Sequence, residues 1–129
     1  MIENRFVLDT NAVIFITTQG NVISSKLQGE LDEADLLISG ITEIELFAKA
    51  GLPPLEEERL RSFLSERIHI VDLTVDVKNE TIALRRTTKL KLPDCTIAAT
   101  SIIFDAVLLT DDRDLLNLSW PSLRTKNIR

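Results

Sequence analysis

The sequence predicts an α/β fold in which helices cover both faces of a central, mainly parallel sheet. Two observations indicate the sheet: short runs are almost wholly apolar, as strands covered on both faces are, and helical segments lie between them. At 129 residues, 44% hydrophobic and 27% charged, the chain can enclose a core as a single domain, residues 1–129. The predicted strands are Phe6–Leu8, Leu36–Ile38, Ile68–Val71 and Ala106–Leu109.

Helices are expected between these strands. Apolar residues recur at helical spacing over residues 60–68, so one helix should lead into the third strand. The polar segment from Val75 to about Leu90 is typical of a surface helix, whereas Ile97–Phe104 is apolar nearly all round and indicates a buried helix. Gly51–Pro54 should end one helix and begin the next.

Composition excludes several classes of protein. The net charge of −5 argues against broad, nonspecific nucleic-acid binding, although a small basic patch remains compatible with it. The single cysteine, Cys95, excludes an internal disulfide framework and fits a reducing compartment. No apolar run approaches the ~20 residues of a membrane helix. Asp9 and Asn11 interrupt the first apolar segment too early for a signal peptide, so the expected location is cytoplasmic.

Four acidic residues, Asp9, Glu45, Asp94 and Asp112, lie where apolar runs end or where helices should begin. In an open α/β sheet the ends of parallel strands lie on one edge, so these carboxylates are expected to converge. Converging carboxylates repel one another, and a cation removes that cost. Oxygen ligands without histidine or thiolate select hard ions, Mg²⁺ or Mn²⁺.

Helix capping is the alternative explanation for each acid. Asp9 could cap the helix that follows it, and Thr42 with Glu45 matches a capping box. Asp94 is a natural N-cap after a proline, and Asp112 could cap a short helix. For any one of them taken singly, capping is the better explanation. The expected convergence of all of them favours a metal site.

The acids belong to four motifs, Val7–Asn11, Ile41–Leu46, Leu92–Thr100 and Leu108–Leu115. In this order and spacing, the motifs resemble those of PIN domains, and within that family those of the VapC-type ribonuclease toxins of toxin–antitoxin pairs. The resemblance covers nearly the whole chain and implies a PIN-like three-layer α/β/α sandwich. One departure is Cys95, where the family usually has alanine; we expect this thiol only to pack.

The resemblance also implies a ligand set for one or two Mg²⁺ or Mn²⁺ ions, and a reaction in which water attacks an RNA phosphodiester. The Thr-x-x-Glu spacing of the second motif selects Glu45 rather than Glu43, and in the fourth motif Asp114 is a second candidate beside Asp112. The implied catalytic and metal-binding acids are Asp9, Glu45, Asp94 and Asp112.

Other residues near these acids have expected supporting or passive roles. By resemblance, Asn11 or Thr10 supports Asp9. Thr110, at the end of the fourth strand, orients a ligand or contacts phosphate, or is simply a strand residue. The only histidine, His69, lies in an apolar run and is expected at the core or at a sheet edge. The sequence therefore offers no obvious protein base, and activated water is the expected nucleophile.

The densest basic stretch, Arg85–Lys91, lies just before Asp94, and Arg113 adjoins Asp112. These cations could neutralise RNA phosphates, or they could form an ordinary solvated helix face. Trp120 is isolated, so no aromatic stacking set supports RNA binding. The candidate substrate-binding residues are Arg85, Arg86, Lys89, Lys91 and Arg113.

The expected function is a metal-dependent endoribonuclease, the toxin of a toxin–antitoxin pair. By resemblance, its partners are RNA, a second copy in a homodimer, and a small antitoxin that inserts a basic side chain among the acids. The alternatives are a non-catalytic PIN-like structural partner and a receiver-like signalling module. A receiver-like module would need paired acids after the first strand, an Asp after the third and a lysine after the last. Asp72 does follow the third apolar run, but Asn11 replaces a paired acid and no lysine follows Leu109.

Overall fold

The computed structural model describes residues 4–129, so part of the N-terminal segment considered above lies outside the described residues. Its centre is a sheet in which every pairing between neighbouring strands is parallel, in the order β3-β2-β1-β4-β5. This confirms the predicted α/β class with its mainly parallel sheet. The strands are β1 (Arg5–Leu8), β2 (Asp35–Ser39), β3 (Ile68–Val71), β4 (Val107–Thr110) and β5 (Thr125–Asn127).

Helices cover the sheet on both faces. Apolar residues of α1, α2 and α4 form one hydrophobic cluster with the sheet, and residues of α5, α6 and α7 form the other. The three-layer sandwich is therefore confirmed. No helix within residues 4–129 is long and apolar enough to cross a membrane. The helices are α1 (Thr10–Thr17), α2 (Ser25–Asp32), α3 (Gly40–Phe47), α4 (Pro54–Arg67), α5 (Val75–Thr87), α6 (Leu92–Ile103) and α7 (Arg113–Leu116).

Some sequence-based expectations need correction. The strand β3 lies at an edge of the sheet with His69 and Ile70 exposed, so the expected cover on both faces is wrong for this strand. The strand β3 packs instead against α4. As predicted, α4 leads into β3 without a loop. The buried helix α6 is confirmed but begins at Leu92, because Pro93 fits within its first turn.

The sheet has its topological switch point at β1. From this central strand the chain first builds β2 and β3 on one side, and later builds β4 and β5 on the other. In open α/β sheets, ligands bind beyond the carboxyl ends of the strands at such a point. Asp9 directly follows β1, and its backbone N–H donates to the carbonyl of Leu109 in β4 over 3.2 Å. The fold thus brings the first and fourth motifs together at what we call the carboxyl edge of the sheet.

Candidate active site

Asp9 is the most constrained of the four acids. Its side chain is 5% exposed. Its Oδ1 accepts a hydrogen bond from the backbone N–H of Ala12 over 2.7 Å, and its Oδ2 accepts one from the hydroxyl of Thr110. Capping of α1 by Asp9 is therefore confirmed, but capping uses only one carboxylate oxygen. The other oxygen ties the end of β1 to the end of β4.

Thr110 extends this connection into the fourth motif. Its hydroxyl is buried, donates to Asp9 and accepts from the backbone N–H of Asp112 over 2.9 Å. Asp112 then caps α7, because its Oδ1 accepts from the N–H of Asp114 over 2.8 Å. The expected cap at Asp112 is thus confirmed. The Thr110 hydroxyl thus contacts two of the candidate acids. These contacts favour the expectation that Thr110 orients a ligand over the expectation that it is simply a strand residue.

Glu45 is held from α1. The hydroxyl of Thr10 donates to Glu45 Oε1 over 2.6 Å, whereas Asn11, the other expected supporting residue, is exposed. The expected capping box is wrong. The strand β2 runs directly into α3, so the cap falls on the last strand residue, Ser39, whose Oγ accepts from the N–H of Ile41 over 3.2 Å. Glu45 therefore does not reach back to the helix start.

Asp94 lies inside the first turn of α6 and is not its N-cap, so that expectation is wrong as well. Pro93 occupies the first turn, where its missing N–H costs nothing, and the cap position moves back to Lys91. Burial raises the pKa of the Asp94 carboxyl above its usual range. The charges of Asp112, Asp9 and Glu45 raise this pKa further, and Lys91 lowers it.

The same electrostatic field acts on Asp9. Burial raises the pKa of Asp9, while the bonds from Thr110 and Ala12 lower it and the charges of Asp111 and Asp112 raise it. Asp112 is the fourth-motif acid whose charge raises the pKa of both Asp9 and Asp94. At one edge of the sheet, Asp94 thus lies within reach of the charges of the other three acids of the sequence motifs.

The donor chemistry of this site fits a hard divalent cation. All four acids offer oxygen, and their repulsion is the cost that a cation removes. Within residues 4–129, however, no three acidic, histidine or cysteine side chains lie close enough to hold an ion directly between them. Both oxygens of Asp9 are already hydrogen-bonded. Mg²⁺ commonly keeps several waters and takes one or two carboxylates, so water would complete the coordination at this site.

The predicted basic residues lie on or between α5, α6 and α7, the helices that cover one face of the sheet. Arg85 and Arg86 end α5, and Lys91 precedes α6, where its charge lowers the pKa of Asp94. Lys89 and Arg113 are exposed. Cys95 is fully buried and burial raises the pKa of its thiol, so it is a protonated packing residue, as expected.

Sequence reasoning missed two cations on the other face. Lys49 and Arg59 line a cleft of about 240 Å³ that also contains Glu45. Lys49 lies in the loop that follows α3, so no helical spacing in the sequence indicates its place beside Glu45. Arg59 belongs to α4, and nothing local in the sequence indicates that α4 returns to this edge.

Comparison with known proteins identifies the family. Residues 6–121 match the PIN domain. The chain belongs to the PIN domain family. This membership excludes the receiver-like alternative, and it makes the confirmed sandwich a PIN fold.

Solved structures similar to this PIN domain come from toxin–antitoxin complexes. VapBC2 from Rickettsia felis, bound to a promoter DNA fragment, is 21% identical with a TM-score of 0.79, over 95% of this chain and 98% of that one. A toxin–antitoxin complex from Klebsiella pneumoniae is 28% identical with a TM-score of 0.69, over 91% and 93% of the two chains. DNA-bound VapBC from Salmonella typhimurium is 24% identical with a TM-score of 0.74, over 100% of both. A search of curated protein sequences gave no significant match.

Proposed function

We propose that this PIN domain is a metal-dependent endoribonuclease and the toxin of a toxin–antitoxin pair in the cytoplasm. The observation that carries the proposal is the placement of Asp9, Glu45, Asp94 and Asp112 at the topological switch point, where their charges raise the pKa values of Asp9 and Asp94. Similarity to VapBC complexes over nearly the whole chain supports the toxin assignment.

In the proposed mechanism, the four acids would hold one or two Mg²⁺ or Mn²⁺ ions, with Asp114 as the second candidate for the position of Asp112. A bound ion would supply activation of a water for in-line attack on the phosphodiester and would offset charge on the leaving oxygen. Thr110 keeps the Asp9 carboxylate oriented, and Thr10 does the same for Glu45. The exposed His69 lies on an edge strand and takes no part in proton transfer.

End-group analysis of cleaved RNA tests this proposal. Because water is the nucleophile, each cut should leave a 5′-phosphate and a 3′-hydroxyl, and EDTA should abolish cleavage. Asp9→Asn should lower the rate by about two orders of magnitude, because one ligand fixes the geometry of attack. His69→Ala should leave the rate nearly unchanged. A 2′,3′-cyclic phosphate product, or full activity in EDTA, would contradict the mechanism, and no cleavage under any condition would support a non-catalytic role.

We also propose a homodimer formed through a groove between α3, α5 and α6. The groove measures about 600 Å³ and exposes large apolar side chains, among them Ile44 and Leu92. Lys78 lines it together with Glu43 and Asp72, so two copies related by a twofold axis can pair opposite charges. Sedimentation at tens of micromolar, a range estimated for stable contacts, should show a dimer, and Ile44→Glu should give a monomer. A wild-type monomer at that concentration would contradict this assignment.

The antitoxin is proposed to present a basic side chain to the acids. The net charge of −5 and the concentrated carboxylates favour a basic segment by electrostatic complementarity. Asp9→Asn and Asp112→Asn should therefore weaken the complex with the cognate antitoxin, as measured by calorimetry. Unchanged affinity in both variants would place the antitoxin contact elsewhere on the protein.

A further inference from the structure

The cleft beside Glu45 shares this one residue with the four acids, whereas Asp9, Asp94 and Asp112 do not line it. Its walls come from α1, from the end of α3 with the loop that follows, and from α4. Apolar residues form its floor, including Leu46 and Leu60, which are buried. Its charged lining consists of Glu45, Lys49, Glu56 and Arg59.

The two cations of this cleft are not neutralised by the carboxylates around them. Elsewhere on the surface, arginines pair with acids, as Arg61 does with Glu57 over 2.8 Å and Arg124 with Asp105 over 2.9 Å. Within residues 4–129, by contrast, neither Lys49 nor Arg59 has a carboxylate oxygen within 4.0 Å. Among the described residues, the one side-chain hydrogen bond of Arg59 goes to the amide oxygen of Gln19, over 3.4 Å. Both side chains are exposed and can accept an anionic ligand.

Lys49 and Arg59 lie on the opposite side of the sheet from the predicted basic stretch, Arg85–Lys91. Residues of α4 pack on one face of the sheet, whereas those of α5 and α6 pack on the other. Arg59 is therefore separated from Arg85 and Lys91 by the sheet, and the acids lie at the edge between them. A polyanion that crosses the carboxyl edge would meet positive charge before and after the acids.

We propose that Lys49 and Arg59 bind backbone phosphates of single-stranded RNA on the α4 side of the site. This inference rests on the proposed ribonuclease function and adds the path of the substrate. The guanidinium of Arg59 offers a planar fork of donors that suits phosphate oxygens. The ammonium of Lys49 supplies a point charge in the same cleft as Glu45. Contacts to phosphate position a strand without reading its sequence. Lys49 and Arg59 are thus positioning residues and take no part in bond cleavage.

Binding of a fluorescent single-stranded RNA of mixed sequence, measured in EDTA to prevent cleavage, tests the path. Lys49→Gln and Arg59→Gln should each weaken binding several-fold. Each should also reduce the slope of log K against log salt by about 0.7, the value for one phosphate contact to a single strand. The double variant should reduce the slope by about 1.4. Glu56→Gln should strengthen binding, because it removes the negative charge that opposes phosphate in the same cleft.

Lys26→Gln is the matched control, since Lys26 is an exposed lysine on α2 that does not line the cleft. It should alter affinity and salt slope less than either cleft variant. If the cleft variants bind RNA as Lys26→Gln does while the wild type cleaves RNA, then Lys49 and Arg59 do not bind the substrate. The proposed ribonuclease function is not affected by that result. The proposed RNA contact is also contradicted if these variants have reduced affinity for a protein partner but unchanged affinity for RNA. A wild type that neither binds nor cleaves RNA rejects the proposed function itself.

Discussion

Asp9 and Asp94 belong to the same group of acids but are held in different ways. Asp9 is 5% exposed, and both of its carboxylate oxygens accept hydrogen bonds from within the protein. Asp94 is only partly buried, and the interactions that perturb its pKa, apart from burial, are charges. One acid is therefore fixed by hydrogen bonds at the end of a strand, whereas the other is positioned by its helix alone.

This difference indicates a site with one rigid half and one adjustable half. Asp9, Thr110 and Asp112 form a hydrogen-bonded unit across β1 and β4. Glu45 is exposed and accepts a hydrogen bond from Thr10 through one oxygen, and Asp94 is partly buried. The described residues contain no closed three-acid cluster, so binding of the proposed cation would require the adjustable half to rotate or to use water.

Lengthening each acid by one methylene should show the difference most strongly. Asp9→Glu cannot keep both hydrogen bonds of a buried carboxylate, so RNA cleavage should fall by about a hundredfold. Asp94→Glu keeps its helix position and should lose only about tenfold. Cleavage rates at saturating metal measure both. Equal losses would mean that the two halves of the site are equally rigid.

Metal binding should stabilise the protein by relieving the repulsion. At about 100 times its dissociation constant, Mg²⁺ or Mn²⁺ should add roughly 2.7 kcal/mol to the free energy of unfolding. Asp94→Asn should lose most of this increment and raise the melting temperature without metal, because it removes a charge that Asp112, Asp9 and Glu45 all repel. Thermal unfolding with and without metal provides the comparison. An unchanged metal response in Asp9→Asn, Glu45→Gln and Asp94→Asn would reduce the acids to helix caps and surface charges.

Thr110→Val should destabilise the rigid half. The substitution preserves shape but leaves Asp9 Oδ2 without its donor and the N–H of Asp112 without its acceptor. Loss of a partner for a buried polar group costs about 1–3 kcal/mol. Thr110→Ser keeps the hydroxyl and is the matched control. Chemical denaturation that gives both variants the same midpoint would show that the methyl group, and not the hydroxyl, matters at this position.

The smallest expected effect is on the pH dependence of stability without metal. The folded-state pKa values of Asp9 and Asp94 are raised, so the folded protein binds more protons than the unfolded chain above the unfolded value of about 3.9. Their contribution to the free energy of unfolding therefore falls as pH rises from that value through the folded pKa, and is constant above it. Asp94→Asn should flatten the decline in denaturation curves measured between about pH 4 and 7. A steeper decline in the variant would contradict the raised pKa of Asp94.

The elements that sequence predicted well are those in which local pattern and fold agree. The apolar run of β1 ends at Asp9 and that of β4 ends near Asp112, and both acids cap the helices that follow. The parallel order of these strands then places both acids on one edge. A mainly parallel sheet can thus be predicted from short, wholly apolar runs, whereas the order of its strands comes from the structure.

The missed features depend on contacts between distant parts of the chain. Ser39 replaces Thr42 as the cap of α3, because β2 continues into the helix without a turn that the sequence would mark. The strand β5 is short and polar, and only its pairing with β4 makes it a strand. Arg59 reaches the cleft beside Glu45 through the packing of α4 against α1, which has no local sequence pattern.

The pairing of β5 with β4 has a practical consequence for handling the protein. After β5, the N–H of Ile128 donates to the carbonyl of Thr110 over 3.0 Å, and Arg129 pairs with Asp111 over 2.9 Å and lies over the ring of Phe15. A fusion tag that follows Arg129 would therefore emerge close to Asp111 and to the proposed catalytic acids. Because β1 starts at the opposite edge of a parallel sheet, a tag placed before it would lie away from the proposed RNA path.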